Sequence, residues 1–323
     1  MDKPFAVGVG SALMDIILPE SDAFLAANNV VKGGMTLVES GTAAKLMQKT
    51  RKMATIAPGG SACNTTIGLA RLGGYAKFIG CRGDDSLGGE YERALLNNNV
   101  DPKLTISDKA GTGRVLSIVT PDAQRSMLTY LGASGYTDPE MFTPEVFAGA
   151  RVVHLEGYLI FNETLLRAIL ESARKARVII SLDLASFNIV KENLALVKEL
   201  VSKYVDIVLA NEDEARAYTG LIEKDALDVL AQDCKIAVVK LGKRGSLIQD
   251  MGKTYEIPPV GILPAIDTTG AGDLWASGFL HGVMNDFPIE KSGYLASLCG
   301  YEVCRVLGAH IPDKRWAEIL KEI

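Results

Sequence analysis

The chain has 323 residues, of which 48% are hydrophobic and 23% charged. That length serves two domains of roughly 150 residues or one large α/β domain with an insertion, and the composition excludes disordered and collagen-like classes. Lys plus Arg number 34 against 39 Asp plus Glu, a net charge of -5, so no basic field exists to hold a nucleic-acid backbone and no nucleic-acid partner is expected.

In chain order, residues 5–10 read as a strand, followed by short strands at 16–18 and, after the Gly33-Gly34 turn, at 35–38. Residues 61–72 read as a helix closed by Gly73-Gly74, 75–80 as a strand and 85–96 as a helix. Strands at 115–120 and 126–131 flank the Pro121-Asp122 turn. From residue 151 onward apolar runs alternate with helical periodicity: a strand at 151–156, a helix capped by Asn162, and a strand at 178–182. A helix near 191–201, a strand at 205–210, a helix ending at Thr219-Gly220 and a strand at 236–241 follow. The chain continues with a hairpin between Gly245 and Ile257 and a helix over 274–284. Apolar runs buried on both faces and separated by helices imply a parallel sheet with right-handed crossovers, an α/β fold. The expected division is one catalytic α/β body, residues 1–12, 59–110 and 133–323, with residues 13–58 and 111–132 forming a small β lid.

Five cysteines, Cys63, Cys81, Cys234, Cys299 and Cys304, form no CxxC pair and read as reduced packing residues. Three scattered histidines without HExxH argue against zinc. Met1-Asp2-Lys3-Pro4 lacks the basic n-region of a signal peptide, and the uncharged helical run at 274–285 is too short to span a bilayer. The expectation is a cytoplasmic protein with no membrane partner. Gly8-Val9-Gly10 suggests a dinucleotide fingerprint, but its sixth position is Leu13. Gly252-Lys253-Thr254 resembles the end of a P-loop, yet Leu247 replaces the required glycine and the segment lies in a hairpin. No G-x-S-x-G is present, so a serine hydrolase has no support.

Ile266-Asp-Thr-Thr-Gly-Ala-Gly-Asp273 opens the helix at 274–284. Gly270, Ala271 and Gly272 leave first-turn amides unshielded where no intrahelical acceptor exists, which suits an anion. Asp273 adds a carboxylate in the same turn, and the combination points to phosphoryl transfer, with the turn holding the group and the acid taking a proton from an alcohol. Pro58-Gly59-Gly60-Ser61-Ala62-Cys63-Asn64 is a second glycine-led helix entrance, with Ser61 read as N-cap and Asn64 one turn inside. Asn211 and Glu214 share a helix face directly after a strand, either as a helix cap with first-turn acids or as a functional pair. Gly157-Tyr158, residues 183–187, Asn211 and Gly242 fall at strand carboxyl ends, where open α/β sheets collect ligands.

The segments Gly10-Ser-Ala-Leu-Met-Asp15, Gly59-Gly-Ser-Ala-Cys-Asn64, Asn211-Glu-Asp-Glu214 and Asp267-Thr-Thr-Gly-Ala-Gly-Asp273, in this order, resemble the ribokinase or PfkB-type carbohydrate and nucleoside kinase family, most of all its adenosine kinase branch. The resemblance runs from Phe5 to Pro312 and implies a ribokinase-like fold, a central mostly parallel sheet flanked by helices with a small β lid. It implies that Asp273 is the base, that Gly270, Ala271 and Gly272 form the anion hole, and that Asn211 and Glu214 organise ATP and Mg²⁺ through water, without a direct metal ligand. Lys240, Gly242, Gly245 and Thr268 fall in ATP-binding segments. Lys240 stands where the family usually carries a hydroxyl residue and brings a charge near the phosphates. Arg125 matches a lid arginine directed at the phosphates. Asp15 matches the acid that accepts hydrogen bonds from a ribose diol, supported by Gly59, Gly60 and Asn64. Tyr158, Leu159 and Phe187 fall where the adenosine branch places walls for the base. K⁺ activation, common in the wider family, maps to the loop near Asp267. The expected reaction is phosphorylation of the 5′-hydroxyl of a purine nucleoside, most of all adenosine. The rivals are a kinase for a ribose- or fructose-like sugar and a non-catalytic nucleotide-binding module; monomer and homodimer are both open.

Overall fold

The apolar runs of the second half of the chain lie side by side at the centre of one large sheet. The computed structural model describes residues 4–323; Met1-Asp2-Lys3, which carry most of the N-terminal reading above, lie outside the described residues. The first part of the chain forms β1 (Phe5–Val9), β2 (Leu13–Pro19), α1 (Asp22–Ala27), β3 (Met35–Leu37), α2 (Thr42–Met47), β4 (Thr55–Gly59) and α3 (Ser61–Arg71). Next come β5 (Tyr75–Gly83), α4 (Ser86–Asn97), β6 (Val100–Ser107), β7 (Gly113–Val119), β8 (Arg125–Tyr130), β9 (Ala150–Glu156), α5 (Glu163–Lys175) and β10 (Ile179–Asp183). The chain continues through α6 (Phe187–Glu192), α7 (Leu194–Tyr204), β11 (Ile207–Asn211), α8 (Glu212–Thr219), α9 (Glu223–Asp233) and β12 (Ile236–Lys240). It ends with β13 (Ser246–Asp250), β14 (Lys253–Ile257), α10 (Ala271–Met284), α11 (Ile289–Val303) and α12 (Asp313–Ile319).

The nine-stranded sheet has the order β14-β13-β12-β11-β10-β9-β1-β5-β6. All pairings from β6 to β12 are parallel, and the antiparallel β13/β14 hairpin closes one edge. The chain leaves β1 for β5 and β6 on one side and later fills β9 to β12 on the other. This reversal opens a crevice at the carboxyl ends beside β1, the usual ligand position in such sheets. Successive residues face opposite layers: Val153 and Leu155 pack with α5, α7 and α9 through Leu166, Leu200 and Leu227. Val152 and Val238 pack with α3, α4 and α10 through Leu69, Tyr91 and Phe279.

A second, five-stranded sheet has the order β3-β8-β7-β2-β4. Period-two alternation sends Ile16, Leu18, Leu116, Ile118 and Leu128 under α1 and α2, where Leu25 and Leu46 cover them. The opposite face carries Asp15 and Ile17 of β2 paired with Val115 and Ser117 of β7, and Met127 of β8 opposite Ser117.

Three local departures have physical causes. β6 was not expected, because Pro102 interrupts its pattern; as an edge strand it tolerates a residue without an N–H. The helix expected near 191–201 is two helices, α6 and α7, meeting at Asn193, which leaves helical geometry at φ -121. α9, also unanticipated, has only Ala226, Leu227 and Leu230 buried, a stripe too short to stand out. The P-loop-like Gly252-Lys253-Thr254 does lie at a hairpin turn, with Met251 and Gly252 both at positive φ.

Gly245 enters that hairpin at φ 93, and an added Cβ would lie 2.0 Å from the Ile257 carbonyl oxygen. Gly245→Ala is therefore expected to lower stability by roughly 2–4 kcal/mol through strain and clash together. A urea melt checks this against the wild-type midpoint.

Candidate active site

The helix α10 begins at Gly270, a left-handed N-cap at φ 75 whose missing side chain leaves room for Ala309, the Cβ of which would lie 2.5 Å from one added at Gly270. The Ala271 amide bonds the Thr268 carbonyl at 3.1 Å and the Leu274 amide the Gly270 carbonyl at 2.8 Å. Between them, the amides of Gly272 and Asp273 have no acceptor among the described residues, so two donors converge at the positive end of a 14-residue helix. Asp267 braces this turn from below: one oxygen accepts from the Thr269 amide and hydroxyl at 2.8 and 2.7 Å, the other from the Gly308 amide at 2.8 Å.

The carboxylate of Asp273 accepts from Ser61 Oγ at 2.7 Å and from Asn64 Nδ2 at 2.8 Å. Ser61 is not the N-cap expected from the sequence. Gly60 caps α3 at φ 94, packed so closely that an added Cβ would stand 2.4 Å from the Ser11 carbonyl oxygen. That shifts Ser61 into the first helical turn and frees its hydroxyl for Asp273. Burial raises the Asp273 pKa, and the bonds from Asn64 and Ser61 with the positive charge of Arg125 offset part of the rise.

Asp15, on β2 of the second sheet, lies against Gly59, where a Cβ would come 2.3 Å from its carboxylate. Burial pushes its pKa up to about 7; Arg125 opposes that shift, and Asp273 and Asp267 add to it. One Arg125 guanidinium on β8 thus lies within electrostatic reach of both acids. Thr268 donates to the Ala123 carbonyl at 2.9 Å, pinning the β7–β8 turn to the loop before α10.

A row of buried acids lines the strand ends beneath. Glu156 closes β9 and accepts from the Ser11 amide at 2.8 Å and the Ala62 amide at 3.0 Å, tying the end of β1 to the start of α3. Its pKa is raised by burial despite those bonds. Asp183 closes β10, accepts from the Ala185 amide at 3.0 Å and pairs with Lys240 Nζ at 2.7 Å. Asn211 and Glu214 form a complete capping box: the Glu214 carboxylate takes the Asn211 amide at 2.8 Å and Asn211 Nδ2 at 2.7 Å, while the Glu214 amide donates to Asn211 Oδ1 at 2.9 Å. The helix-cap reading is therefore correct as local structure. Burial raises the Glu214 pKa well above the carboxylate range, and the neighbouring Asp183 adds to the rise.

Gly242 and Gly245 bound the turn after β12, beside a cleft of about 530 Å³ lined by Leu241, Arg244, Ser246, Glu256 and Pro258. Tyr158, next to the acid row, donates to the Ala185 carbonyl at 3.2 Å. Leu159 is packed into the core, and Phe187 starts α6 about two-fifths exposed. The structure thus gathers Asp273, Gly270, Ala271, Gly272, Asp15, Gly59, Gly60, Asn64, Thr268 and Arg125 in one place, with Lys240, Asn211 and Glu214 on the adjoining strand ends. Leu159 belongs to the packing beneath Tyr158. Ser61, Glu156 and Asp183 carry bonds that sequence reading did not assign. The available signal for two of them is an acid closing an apolar strand, as in Val152-Val-His-Leu-Glu156 and Ile179-Ile-Ser-Leu-Asp183.

Glu156→Gln replaces one acceptor by an NH₂ group facing a buried amide, and an unsatisfied donor pair costs roughly 1–3 kcal/mol. A lower melting temperature by calorimetry is the expected outcome.

Residues 27–316 match the pfkB family of carbohydrate kinases. The chain belongs to that family. The kinase is similar to a probable sugar kinase from Rhizobium etli, with 33% identity, a TM-score of 0.94 and coverage of 99% of this chain and 98% of the other. It is similar to the adenosine kinase from Sinorhizobium meliloti, again at 33% identity, with a TM-score of 0.89 and coverage of 95% and 96%. It is also 31% identical over 252 residues to a 5-dehydro-2-deoxygluconokinase from Geobacillus kaustophilus, covering 72% of this chain and 75% of the relative. The expected ribokinase-like α/β fold is therefore correct, and the kinase acts on a sugar or a nucleoside with ATP, which this family typically uses with Mg²⁺. No helix among the described residues is long and apolar enough to cross a membrane.

Proposed function

We propose that this kinase transfers the γ-phosphoryl group of ATP to the 5′-hydroxyl of a purine nucleoside, with adenosine the expected acceptor, and that the second sheet serves as a lid over it. The observation that carries this choice is the inner face of that sheet. Beside Asp15 it presents Ile17, Val115 and Met127, a wall suited to the flat apolar face of a base and wasted on a free sugar with hydroxyls all round. Within the wall, Ser117 Oγ is buried without a protein partner and is suited to a polar edge of the base. Tyr158 and Phe187 supply the opposing side.

Asp15 accepts the vicinal ribose hydroxyls, since an ionised carboxylate offers two acceptor oxygens to a diol. Gly59 and Gly60 admit the sugar close to the backbone, and Asn64, which donates to the Asp273 carboxylate, bonds the sugar as well. Asp273, oriented by Ser61 and Asn64, keeps a free lone pair on each oxygen and takes the 5′-hydroxyl proton as the oxygen attacks the γ-phosphorus and ADP departs. Its raised pKa makes it a stronger base than an exposed aspartate. The Gly272 and Asp273 amides and Arg125 hold the charge that develops on the transferring group. Bound Mg²⁺ supplies neutralisation of the phosphate oxygens. The donor set fits that ion: Glu214 is a carboxylate fixed by the Asn211 capping box at the strand end, and Mg²⁺ keeps several waters through which Glu214 and Asn211 would hold it. Gly242 and Gly245 border the cleft suited to the rest of the nucleotide.

The test is the product. With adenosine and ATP, ³¹P NMR is expected to show a 5′-monophosphate, and 5′-deoxyadenosine is expected to be inert. A phosphate on any other oxygen would reject the proposed pose. The sugar-kinase relatives keep a second reading open, in which the same base serves a sugar hydroxyl.

A further inference from the structure

We propose that Lys240 is a built-in phosphate anchor that lets this kinase hold the polyphosphate of ATP without a divalent metal. The inference rests on the reading that the turn at 270–273 receives the phosphates. Lys240 ends β12 opposite Asn211, with its side chain 12% exposed. Its ammonium stands directly beneath the anion-accepting turn, where a Cβ added to Gly272 would be 3.0 Å from Nζ. An ammonium has three donors. Among the described residues this one donates to Asp183 alone, at 2.7 Å, and the two remaining donors have no acceptor beside a turn whose Gly272 and Asp273 amides also lack one. Four donors without acceptors thus lie around one helix turn.

Burying an ammonium beneath a helix N-terminus is unfavourable twice over, through desolvation and through the positive end of the helix dipole. Strand packing alone does not call for it, since Val238 and Val239 fill the same strand with apolar side chains. Asp183 offsets the charge in the empty site, and Glu214 adds a second carboxylate nearby. These two acids keep the ammonium charged, above its ordinary pKa despite burial. An anion arriving at the turn would meet a charge already desolvated and held in place, which is the arrangement that makes a charge-assisted hydrogen bond strong.

The roles of the two partners give opposite signs. Calorimetric titration with ATP in EDTA is expected to show binding to the wild type and binding weaker on the order of tenfold or more in Lys240→Met, corresponding to loss of one charge-assisted bond. Asp183→Asn removes the competing counter-ion, so it is expected to tighten metal-free ATP binding. Lys240→Arg is expected to retain most of the affinity. A pair that serves only folding would weaken binding in both variants or change neither, and either pattern would overturn the proposal. Thermal melts monitor folding; if Lys240→Met does not fold, the direction of change in Asp183→Asn decides. A wild type that binds ATP with Mg²⁺ but not in EDTA also overturns the anchor while sparing the nucleotide site. Failure to bind ATP under both conditions overturns the anchor and the proposed phosphate site together.

Discussion

Asp273→Asn is expected to lower kcat by about 10²- to 10⁴-fold, the range assigned to a positioned general base, while the protein remains folded and binds ATP near the wild-type level. The substitution is close in shape, and the Asp273 carboxylate sits at the junction of α3 and α10 with Ser61 and Asn64 as its partners. The Asn64 amide can reverse to meet the new group, so the junction retains its bonds. What disappears is proton acceptance. Steady-state turnover with saturating ATP reads this directly, and circular dichroism reads the fold. Near-normal kcat in a folded Asp273→Asn protein would remove Asp273 from the base role and leave the turn as a binding device only.

Asp15→Asn is expected to reduce kcat/KM for the nucleoside by about 10²-fold, because hydrogen bonds to a charged acceptor are worth roughly 1.5–3 kcal/mol each. ATP affinity should change little. The pH profile carries the same information with a definite sign. Burial holds the Asp15 pKa at about 7, so below pH 7 the carboxyl is increasingly protonated and can no longer accept from both hydroxyls of a diol. Wild-type kcat/KM for the nucleoside is therefore expected to fall as pH drops through about 7 and to level off above it, since this parameter titrates groups of the free enzyme. In Asp15→Asn that acid limb should flatten. An unchanged limb in the variant would assign the titration to another acid of the site, Glu214 being next in line because burial and Asp183 raise it too.

How far the sequence can be read depends on the distance over which each feature is decided. The α/β alternation from residue 151 onward is local, and so is the glycine-led entrance of α10, where Gly270 and Gly272 mark a turn with unshielded amides and Asp273 an acid in its first turn. Gly220 stops α8 in the left-handed geometry expected of a glycine past a helix end. β6 is another matter: Pro102 argues against a strand until the strand is known to lie at an edge. Ser61 reads as a cap because serine usually caps, and only the tight approach of Gly60 to the Ser11 carbonyl reassigns it. Its partner Asp273 lies 212 positions away. Glu156 likewise finds Ala62 across 94 positions, a relation that no window of sequence contains. Asn211 and Glu214 satisfy the local reading: a capping box holds the carboxylate in place at the strand end, beside Asp183 and Lys240.

In the proposed pose, substrate choice depends on the inner face of the second sheet, where Ile17, Val115, Ser117 and Met127 lie around Asp15. It is measured most directly by kcat/KM on a panel of acceptors with ATP and Mg²⁺, read by ADP release: adenosine, inosine, ribose, fructose and 5-dehydro-2-deoxygluconate. Adenosine is expected to exceed each free sugar by a factor on the order of 10² or more, the value of a buried base against an apolar wall. Faster turnover of any of the sugars, or an inert adenosine, would contradict a nucleoside site.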